Sequence, residues 1–407
     1  ARLPSGDPDL GHSYEALGVV EQELGNEAAA EEDYRRALAI FTAAGPEHAV
    51  DVASTHHNLG FLANHRGDYA TARREYQIAL DAKRALFGDA HPKTLNSLNG
   101  LATAESFLGD FAAALRDSQK SLELRIKVHG EDSVLVARSH NDVAGTLQDL
   151  GDYAAAETHY RAALAIHTRL SSGDSLDVAS TSNNLATLYE DRGDLTAALP
   201  LFRRSLQLRS ARLTPPHLSL ARAENNLARC LFEMGDLKDA KPLIDSSLAV
   251  RRERAPDTLE RFDSELLAAD WLLAQNDVDA ARAALAALTP PSAHGAYRRR
   301  ARWYDVQARL AAQTHDVARA RALEQDSLDA LRETLASDHP LCAQARARLA
   351  QFAHAQRDDD AARHALADAL PVLQRALAAG ARDRVDAEKL AGELGVTAAT
   401  PLQVRRD

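Results

Sequence analysis

The sequence predicts an all-α protein, folded as a right-handed superhelical α-solenoid of about nine helix-turn-helix repeats. Two observations carry this prediction. A Gly-Asp or Gly-Asn dipeptide recurs at successive intervals of 42 residues, which is typical of a repeat protein. The 407 residues include only 9 Phe, 9 Tyr, 2 Trp and 20 Gly, so residues that favour strands or interrupt helices are scarce.

Each repeat is centred on a turn glycine that is predicted to end its first helix. These glycines are Gly25, Gly67, Gly109, Gly151, Gly193 and Gly235. Glycine adopts the left-handed conformation that terminates helices, and the Asp or Asn after it can cap the second helix through a first-turn N–H group. Three degenerate turns continue the series, at Asn276-Asp277, His315-Asp316 and Arg357-Asp358.

Apolar and small residues recur at fixed distances from the turn glycine. A large aliphatic residue lies eight positions before it, at Leu17, Leu59, Leu101, Val143, Leu185 and Leu227, and Gly or Ala follows directly. In the second helix, Ala lies five positions after the glycine, and Tyr, Phe, Ile or Ser lies nine positions after it. Helical periodicity places each set on one face, so small residues let helices approach while large ones fill the core.

The repeats divide the chain into five segments. Residues 1–9 are an N-terminal tail, 10–254 six regular units, 255–380 three degenerate units, 381–394 a terminal helix and 395–407 a second tail. In the degenerate units the turn glycines are lost, and Trp271, Trp303 and Tyr304 replace the usual small or leucine residues. Because the chain begins with Ala1 rather than Met, we expect a fragment of a longer protein.

Composition limits the functions open to this chain. Apolar residues make up 45% of it, which is enough to form a core and excludes global disorder. The net charge of −11 disfavours non-specific binding to nucleic acid, which needs a basic surface. No apolar run is long enough for membrane insertion by this segment. Two cysteines, Cys230 and Cys342, are too few for a disulfide framework or a thiolate metal site.

The best copies of the repeat are similar to a known family. They read Asn183-Asn184-Leu185-Ala186-Thr187-Leu188-Tyr189 and Gly151-Asp152-Tyr153. This pattern resembles the tetratricopeptide repeat, and its unit, longer than the common 34 residues, resembles the variety found in kinesin light chains. It is also similar to arrays found C-terminal to bacterial receptor-type Ser/Thr kinase domains. The resemblance is specific for the fold, but it implies little about function, since this repeat serves many roles.

Asparagine recurs on the predicted concave face, which the first helices of the repeats would line. It lies nine or ten positions before the turn residues, at Asn58, Asn99, Asn141, Asn183, Asn184, Asn225 and Asn226. A side-chain amide donates and accepts, so it can bind a peptide backbone of any sequence. The resemblance implies that asparagine at this place holds an extended peptide. The alternative is that each asparagine binds the backbone of the preceding hairpin, or only solvent.

Three arginines on the same face are candidates to select the ligand. Arg138 and Arg222 lie thirteen positions before their turn glycines and Arg229 lies six before, where each could bind a carboxylate. Acidic residues lower on these helices would favour a basic ligand instead: Asp149, Glu190, Asp191 and Glu233. For each charge taken singly, a solvated helix surface is the favoured interpretation.

Three further motifs have weaker claims to a function. His56, His57 and His65 have a helical spacing that could bind a metal, but no carboxylate partner is evident and exposed histidines are favoured. Cys230 fits a buried structural thiol. The basic run over residues 297–304 could contact nucleic acid or a phosphorylated partner, although a solvated helix start is favoured. The sequence contains no catalytic motif and implies no cofactor and no metal.

We therefore expect a non-catalytic interaction module that binds a peptide or protein in an Asn-lined concave groove. The alternative is a sensor or substrate-recruiting domain of a bacterial Ser/Thr kinase or signalling ATPase whose catalytic part lies outside this chain. A scaffold that self-associates through a terminal repeat is a further alternative. We expect a cytoplasmic location, with a periplasmic domain of a membrane-anchored protein as the alternative.

Overall fold

Helices build almost all of this protein in the computed structural model, which describes residues 6–24, 26–256, 258–291 and 295–397. These residues form nineteen α-helices and no strand, so the predicted all-α repeat architecture is confirmed. Odd-numbered helices up to α17 are the first helices of repeats, and even-numbered helices are the second. None of the described helices is both long and apolar enough to cross a membrane. The chain divides into two compact units, Ala1–Asp149 and Leu150–Asp407.

The first unit contains seven of the helices. They are α1 (Pro8–Glu23), α2 (Glu27–Ala44), α3 (Ala49–His65), α4 (Tyr69–Phe87), α5 (Pro92–Phe107), α6 (Phe111–His129) and α7 (Val134–Asp149). A short 3-10 turn, Pro46–His48, precedes α3. Each helix packs against the next one in the chain, as stacked hairpins require. Proline at the first position of α5 supports its start, because that position needs no N–H donor.

The second unit contains the other twelve helices. They are α8 (Tyr153–Leu170), α9 (Leu176–Asp191), α10 (Leu195–Ser210), α11 (Leu218–Glu233), α12 (Leu237–Arg254), α13 (Leu259–Ala274), α14 (Val278–Ala286), α15 (Tyr297–Gln313), α16 (Val317–Arg332), α17 (Pro340–Ala355), α18 (Asp359–Ala376) and α19 (Arg382–Leu394). Helix α14 has 9 residues, half the 18 of α12. Pro290 and Pro291 follow it and cannot extend it. Residues 1–5 and 398–407 of the predicted tails lie outside the described residues.

The turn between the helices of a repeat has the geometry that the sequence predicts. Gly67, Gly109, Gly151, Gly193 and Gly235 have positive φ angles of 69° to 83°. The next aspartate caps the second helix, as Asp68 does by accepting the N–H of Thr71 at 3.1 Å. The degenerate turns keep the same conformation, with φ of 62° at Asn276, 63° at His315 and 64° at Arg357. The remaining turn glycine, Gly25, lies outside the described residues.

Restoring glycine at a degenerate turn is expected to stabilise the protein. Arg357 is exposed and holds a left-handed conformation that costs an L-residue about 1–2 kcal/mol. We expect Arg357→Gly to raise the free energy of unfolding by about 1 kcal/mol after the entropy cost of glycine. Urea denaturation followed by circular dichroism measures this change. Arg357→Ala is the control: it also removes the side chain but keeps the strain, so equal stability of both variants would contradict the prediction.

Large and small residues are complementary where repeats pack. The Tyr76 side chain, 2% exposed, lies over Gly60 of its own repeat and Gly100 of the next. A methyl group on Gly60 would meet the Tyr76 ring at 3.1 Å, and one on Gly100 would overlap it. Ser118 replaces the tyrosine in the following repeat, where Ala102 takes the place of Gly60. These contacts explain why the small residues of the pattern are needed.

The apolar pattern is wrong for the first repeat. The pattern predicts that Leu17 is buried, but it is 44% exposed, and Val20 on the same helix and Leu24 directly after it are also exposed. The equivalent Leu101 and Leu185 are buried at 2% and 3%. The difference arises because an interior first helix is covered by the preceding hairpin, whereas no described helix precedes α1.

Within the second unit, turns of early repeats contact loops of late ones. The Ala378 N–H donates to the Arg192 carbonyl oxygen at 2.9 Å, and a side chain on Gly193 would overlap Ala381. One turn earlier in the array, a methyl group on Gly151 would lie 2.5 Å from Pro340. The path of the repeats therefore brings residues more than 180 positions apart in sequence into backbone contact.

Candidate peptide-binding face

The candidate site is one side of the first helices, called here the first-helix face. It comprises the side chains thirteen, ten, nine and six positions before each turn residue, which helical geometry places on one side. In the first unit it lies on α1, α3, α5 and α7, and in the second on α9, α11, α13, α15 and α17. The predicted asparagines and arginines all occupy these positions.

Neighbouring first helices are joined by side-chain hydrogen bonds on this face. The donors and acceptors are Asn58 Nδ2 to Glu15 Oε1, Asn99 Nδ2 to Asp142 Oδ2, and Asn226 Nδ2 to Asn183 Oδ1, each at 3.0 Å. An ion pair of Arg348 with Asp305, at 3.2 Å, has the same 43-residue spacing. Part of the asparagine pattern is thus used to hold adjacent repeats together, through side chains of the neighbouring hairpin rather than its backbone.

The remaining asparagines differ in how open their amides are. Asn225 is 4% exposed, and its Oδ1 accepts a hydrogen bond from Ser264 Oγ at 2.8 Å. Asn141 is partly buried in α7. Asn184 is partly exposed, and its side chain forms no hydrogen bond with another described residue. Of the predicted set, Asn184 therefore has the amide best placed to meet a ligand, whereas Asn225 mainly joins repeats.

Arg229 already has a carboxylate partner in this chain. Its Nε donates to Glu190 Oε1 at 2.9 Å, and Nη2 contacts the second oxygen, which makes the pair bidentate. The Glu190 side chain is only 6% exposed. Burial opposes the charge of Arg229, but Glu190 raises the pKa of the guanidinium above its usual value. Arg138 and Arg222 are exposed on the surface of their helices.

The first unit exposes apolar side chains on this otherwise polar face. Phe61 is 47% exposed, and Val19, at the same position of the preceding repeat, is 39% exposed. Phe61 lies one turn beyond Asn58, whose bond to Glu15 holds α1 and α3 together. The sequence interpretation missed Phe61, although its place six before a turn glycine, the same as that of Arg229, was a usable signal.

A set of mostly buried basic residues on the second helices was also missed. Sixteen positions after the turn glycine, successive repeats carry Lys83, Arg125, His167, Arg209 and Arg251. Each of three donates to a serine hydroxyl of the next repeat: Lys83 to Ser97 at 3.0 Å, Arg125 to Ser139 at 2.9 Å and Arg251 to Ser264 at 2.6 Å. Burial lowers the pKa of Lys83 to about 8. A basic residue at one position of five repeats was a visible signal.

A buried acid replaces the usual aromatic residue in the eighth repeat. Glu324, nine positions after its turn residue, is fully buried and accepts a hydrogen bond from Arg348 Nε at 2.9 Å. Arg348 also contacts Asp305 and Asp383, each at 3.2 Å. Burial raises the pKa of Glu324 well above its usual value, and the nearby carboxylates of Asp305 and Asp383 add to this effect, although Arg348 lowers the pKa. The cluster joins α15, α16, α17 and α19 by charge instead of by aromatic packing.

The histidine candidates do not come together. His56 Nδ1 lies 2.7 Å from Glu75, and His65 Nδ1 lies 2.7 Å from Glu27 on another helix. His57 contacts the Ser97 hydroxyl at 3.0 Å, and burial lowers its pKa to about 4. Among the described residues, no group of three or more His, Cys, Asp or Glu side chains could hold a metal ion.

The other two motifs serve the packing of the second unit. Cys230 is fully buried, which confirms the predicted structural thiol, and burial raises its pKa to about 12. The arginines of the basic run bind carboxylates outside α15: Arg298 pairs with Asp191, Arg299 with Asp263 and Arg300 with Glu333 at the end of α16. The favoured interpretation of this run as a solvated helix start is therefore wrong, because neighbouring repeats supply the acids.

Known proteins share this repeat and this fold. One model described as tetratricopeptide repeat matches residues 51–127 and 135–211, and a second matches residues 10–48. No curated protein matches the sequence. The Rap conjugation gene regulator of the plasmid pLS20, solved in complex with the Phr* peptide, is 15% identical over 82% of this chain and 97% of that one, with a TM-score of 0.58.

Two further structures are similar to this chain. The apo form of the quorum sensor NprR from B. thuringiensis is 14% identical, covers 87% of this chain and 99% of that one, and has a TM-score of 0.53. A putative kinesin light chain from Podosopora anserina, with nearly identical TPR-like repeats, is 19% identical over 51% of this chain and 99% of that one, with a TM-score of 0.42. The Rap and NprR structures share the helical repeat fold.

Proposed function

Because residues 10–48, 51–127 and 135–211 are tetratricopeptide repeats, we propose that this chain is a non-catalytic module that binds a peptide or protein segment on its first-helix face. The observation that carries the proposal is Phe61, whose side chain is 47% exposed on a face that otherwise carries mainly polar residues. Exposed aromatic rings beside polar groups are typical of sites that bind other proteins.

The residues of the first-helix face in the first unit are suited to bind an extended peptide segment that carries an apolar side chain. Phe61 and Val19 would cover that side chain and remove apolar surface from water. The amides of Asn58 and Asn99 each keep hydrogen-bonding capacity, since their bonds to Glu15 and Asp142 use one N–H group of each amide. These groups can bind the backbone on either side of the anchor, as in other cases of peptide recognition by secondary structure.

The second unit would contribute a separate contact with the same kind of ligand. Asn184 offers an amide without a partner among the described residues, and Arg222 offers an exposed guanidinium on the next first helix. A carboxylate of the ligand can bind Arg222 while its backbone binds Asn184. The similarity to the Rap regulator solved with the Phr* peptide supports a peptide as the ligand.

A peptide-display selection against the full chain tests this proposal. We expect selected peptides to bind the wild type and to lose affinity about ten- to a hundredfold in Phe61→Ala, which removes one buried aromatic contact. Ile78→Ala is the matched control, because Ile78 is 40% exposed but lies on the second helix α4. Isothermal titration calorimetry measures both variants. Equal losses in the two variants, or none in Phe61→Ala, would exclude this face of the first unit.

Asn184→Ala tests whether the Asn184 amide binds the ligand without also changing the stability of the protein. The change removes no hydrogen bond between described residues, so stability should stay within about 0.5 kcal/mol of the wild type. Peptides that reach the second unit should bind several-fold more weakly to this variant. Unchanged affinity of every selected peptide would show that Asn184 has no part in binding.

A further inference from the structure

Arg209 departs from the pattern of the other basic residues on the second helices. Lys83, Arg125 and Arg251 are 3–5% exposed, and each donates to a serine twelve positions before the next turn residue. For Arg209 that position holds Ala223, whose side chain cannot accept a hydrogen bond. The Arg209 guanidinium therefore binds elsewhere, and the residue remains partly exposed.

The guanidinium of Arg209 lies between two first helices. Nη2 donates to Ser180 Oγ of α9 at 3.0 Å, Nη1 donates to Ser219 Oγ of α11, and Nε donates to Ser205 Oγ of its own helix at 3.4 Å. Ser180 lies thirteen positions before its turn glycine, which is one of the positions that define the first-helix face. Arg209 therefore reaches this face, and two of its five N–H groups are still available.

No carboxylate among the described residues balances the charge of Arg209. Burial lowers the pKa of all four cations, and a carboxylate opposes this effect at three of them: Glu15 at Lys83, Asp142 at Arg125, and Asp263 with Glu260 at Arg251. At Arg209, burial and the charge of Arg222 both lower the pKa. A partly buried guanidinium with only hydroxyl partners is unfavourable, because neutral groups replace part of its hydration but leave its charge unpaired.

Arg222 brings a second unpaired cation to the same place. It lies three positions after Ser219 on α11, so helical geometry puts the two side chains on one side of the helix. Arg222 is exposed and forms no hydrogen bond or ion pair with another described residue. The two guanidinium groups therefore face the same part of the surface, between α9 and α11.

The acids of the next repeat balance other arginines. Asp263, thirteen positions before its turn residue on α13, binds Arg299 through both carboxylate oxygens, at 2.9 Å each. Glu260, on the same helix, raises the pKa of Arg251 against the effect of burial. Each of these carboxylates is matched by one of these arginines, so the two guanidinium groups between α9 and α11 remain unbalanced.

We propose that Arg209 and Arg222 together bind the phosphate group of a phosphorylated side chain in a peptide, an inference that rests on the proposed peptide-binding function. A phosphate monoester carries about −1.5 to −2 charges at pH 7 and has three acceptor oxygens, which match two guanidinium groups. A carboxylate has a single charge and would leave one guanidinium unbalanced. Asn184 lies one turn after Ser180 on α9, where its amide can bind the backbone beside the phosphorylated residue.

Phenyl phosphate tests the site without a peptide. In ³¹P NMR with the full chain, we expect broadening of its signal that saturates with a dissociation constant of about 5 mM or lower. Arg222→Gln should weaken this binding at least about fivefold, and it removes no contact between described residues, so the variant should fold normally. Arg203→Gln is the matched control, because Arg203 is an exposed arginine on the second helix α10. No broadening with the wild type, or equal weakening in the two variants, would overturn the proposal.

Three matched peptide libraries test the class of ligand. They carry phosphoserine, serine or glutamate at one fixed central position, and surface plasmon resonance measures their binding to the immobilised full chain. We expect the best phosphoserine peptides to bind at least about tenfold more tightly than their serine and glutamate counterparts. This preference should disappear in Arg222→Gln and persist in Arg203→Gln. Equal binding of glutamate and phosphoserine peptides would indicate a site for acidic peptides and would overturn the phosphate proposal.

These measurements distinguish the phosphate site from the contact at Phe61. The preference for phosphoserine is a ratio between two peptides that differ at one side chain, so it does not depend on how tightly the rest of the peptide binds. If Phe61→Ala weakens the peptides but none of them prefers phosphoserine, the phosphate site alone is contradicted. If phosphoserine is preferred but Phe61→Ala binds as the wild type does, the phosphate site is supported and the contact at Phe61 is contradicted.

Discussion

Tyr76→Ala is expected to cost the first unit about 3–5 kcal/mol of unfolding free energy, the range for removing a fully buried aromatic side chain. Tyr76 is 2% exposed and packs in a cluster with Leu80, Leu98 and Leu101. The glycines beneath its ring have no side chains that could fill the space. The cavity would therefore stay open, which makes the loss larger than at a site that can collapse.

The measurement is urea denaturation with a probe in each unit, because repeat arrays need not unfold in one step. Tyr76→Phe is the matched control. It keeps the ring over Gly60 and Gly100 and removes only the hydroxyl, so we expect a change of about 1 kcal/mol or less. A loss below about 1 kcal/mol in Tyr76→Ala would show that the tyrosine–glycine contact does not support the stacking of these repeats.

Gly193→Ala is expected to destabilise the second unit more than the same change at Gly235. Both are turn glycines in the left-handed region, with φ of 69° and 83°, so each alanine pays about 1–2 kcal/mol of backbone strain. At Gly193 the new methyl group also overlaps Ala381, whereas nothing lies within 4 Å at Gly235. The overlap should add about 1–3 kcal/mol, the usual cost of overpacking.

Amide hydrogen exchange distinguishes backbone strain at the substituted glycine from loss of the contact between Arg192 and Ala378. The Ala378 N–H donates to the Arg192 carbonyl at 2.9 Å, so it should exchange faster in Gly193→Ala and remain protected in Gly235→Ala. Equal destabilisation and equal exchange in the two variants would mean that the contact of early and late repeats adds nothing to the stability of this unit.

The candidate site shows how far a repeat pattern alone can lead. The spacing of the asparagines placed them on one face, but it could not distinguish Asn184, which has an open amide, from Asn225, which is buried against Ser264. That difference depends on which side chain the next repeat presents. Phe61 does not follow from the pattern because its position carries different residue types in different repeats, and only Val19 is likewise a large apolar residue there.

Charged residues illustrate the same limit. Taken singly, Arg229 and Glu190 are predicted to be solvated surface charges, but they form one bidentate pair 39 positions apart. Likewise, the arginines at 298–300 find acids on other helices, the most distant being Asp191. Whether a charged side chain is solvated or paired depends on which side chains of other repeats lie close to it. The spacing of residues within one repeat does not specify these distances.

The sequence by itself determined the helical repeat, its turns and the faces that pack, because these follow from local rules. Three local features specify them: a glycine, or another exposed residue, in the left-handed conformation at the turn; an aspartate that caps the second helix; and the spacing of apolar residues. Each of these involves only one or two helices. The tertiary structure alone decided the partners of the polar residues, the contact of Arg192 with Ala378 and the approach of Arg209 to Arg222. The first and last of these depend on how adjacent repeats pack, and the contact of Arg192 with Ala378 depends on the rotations between successive hairpins that bring distant repeats together.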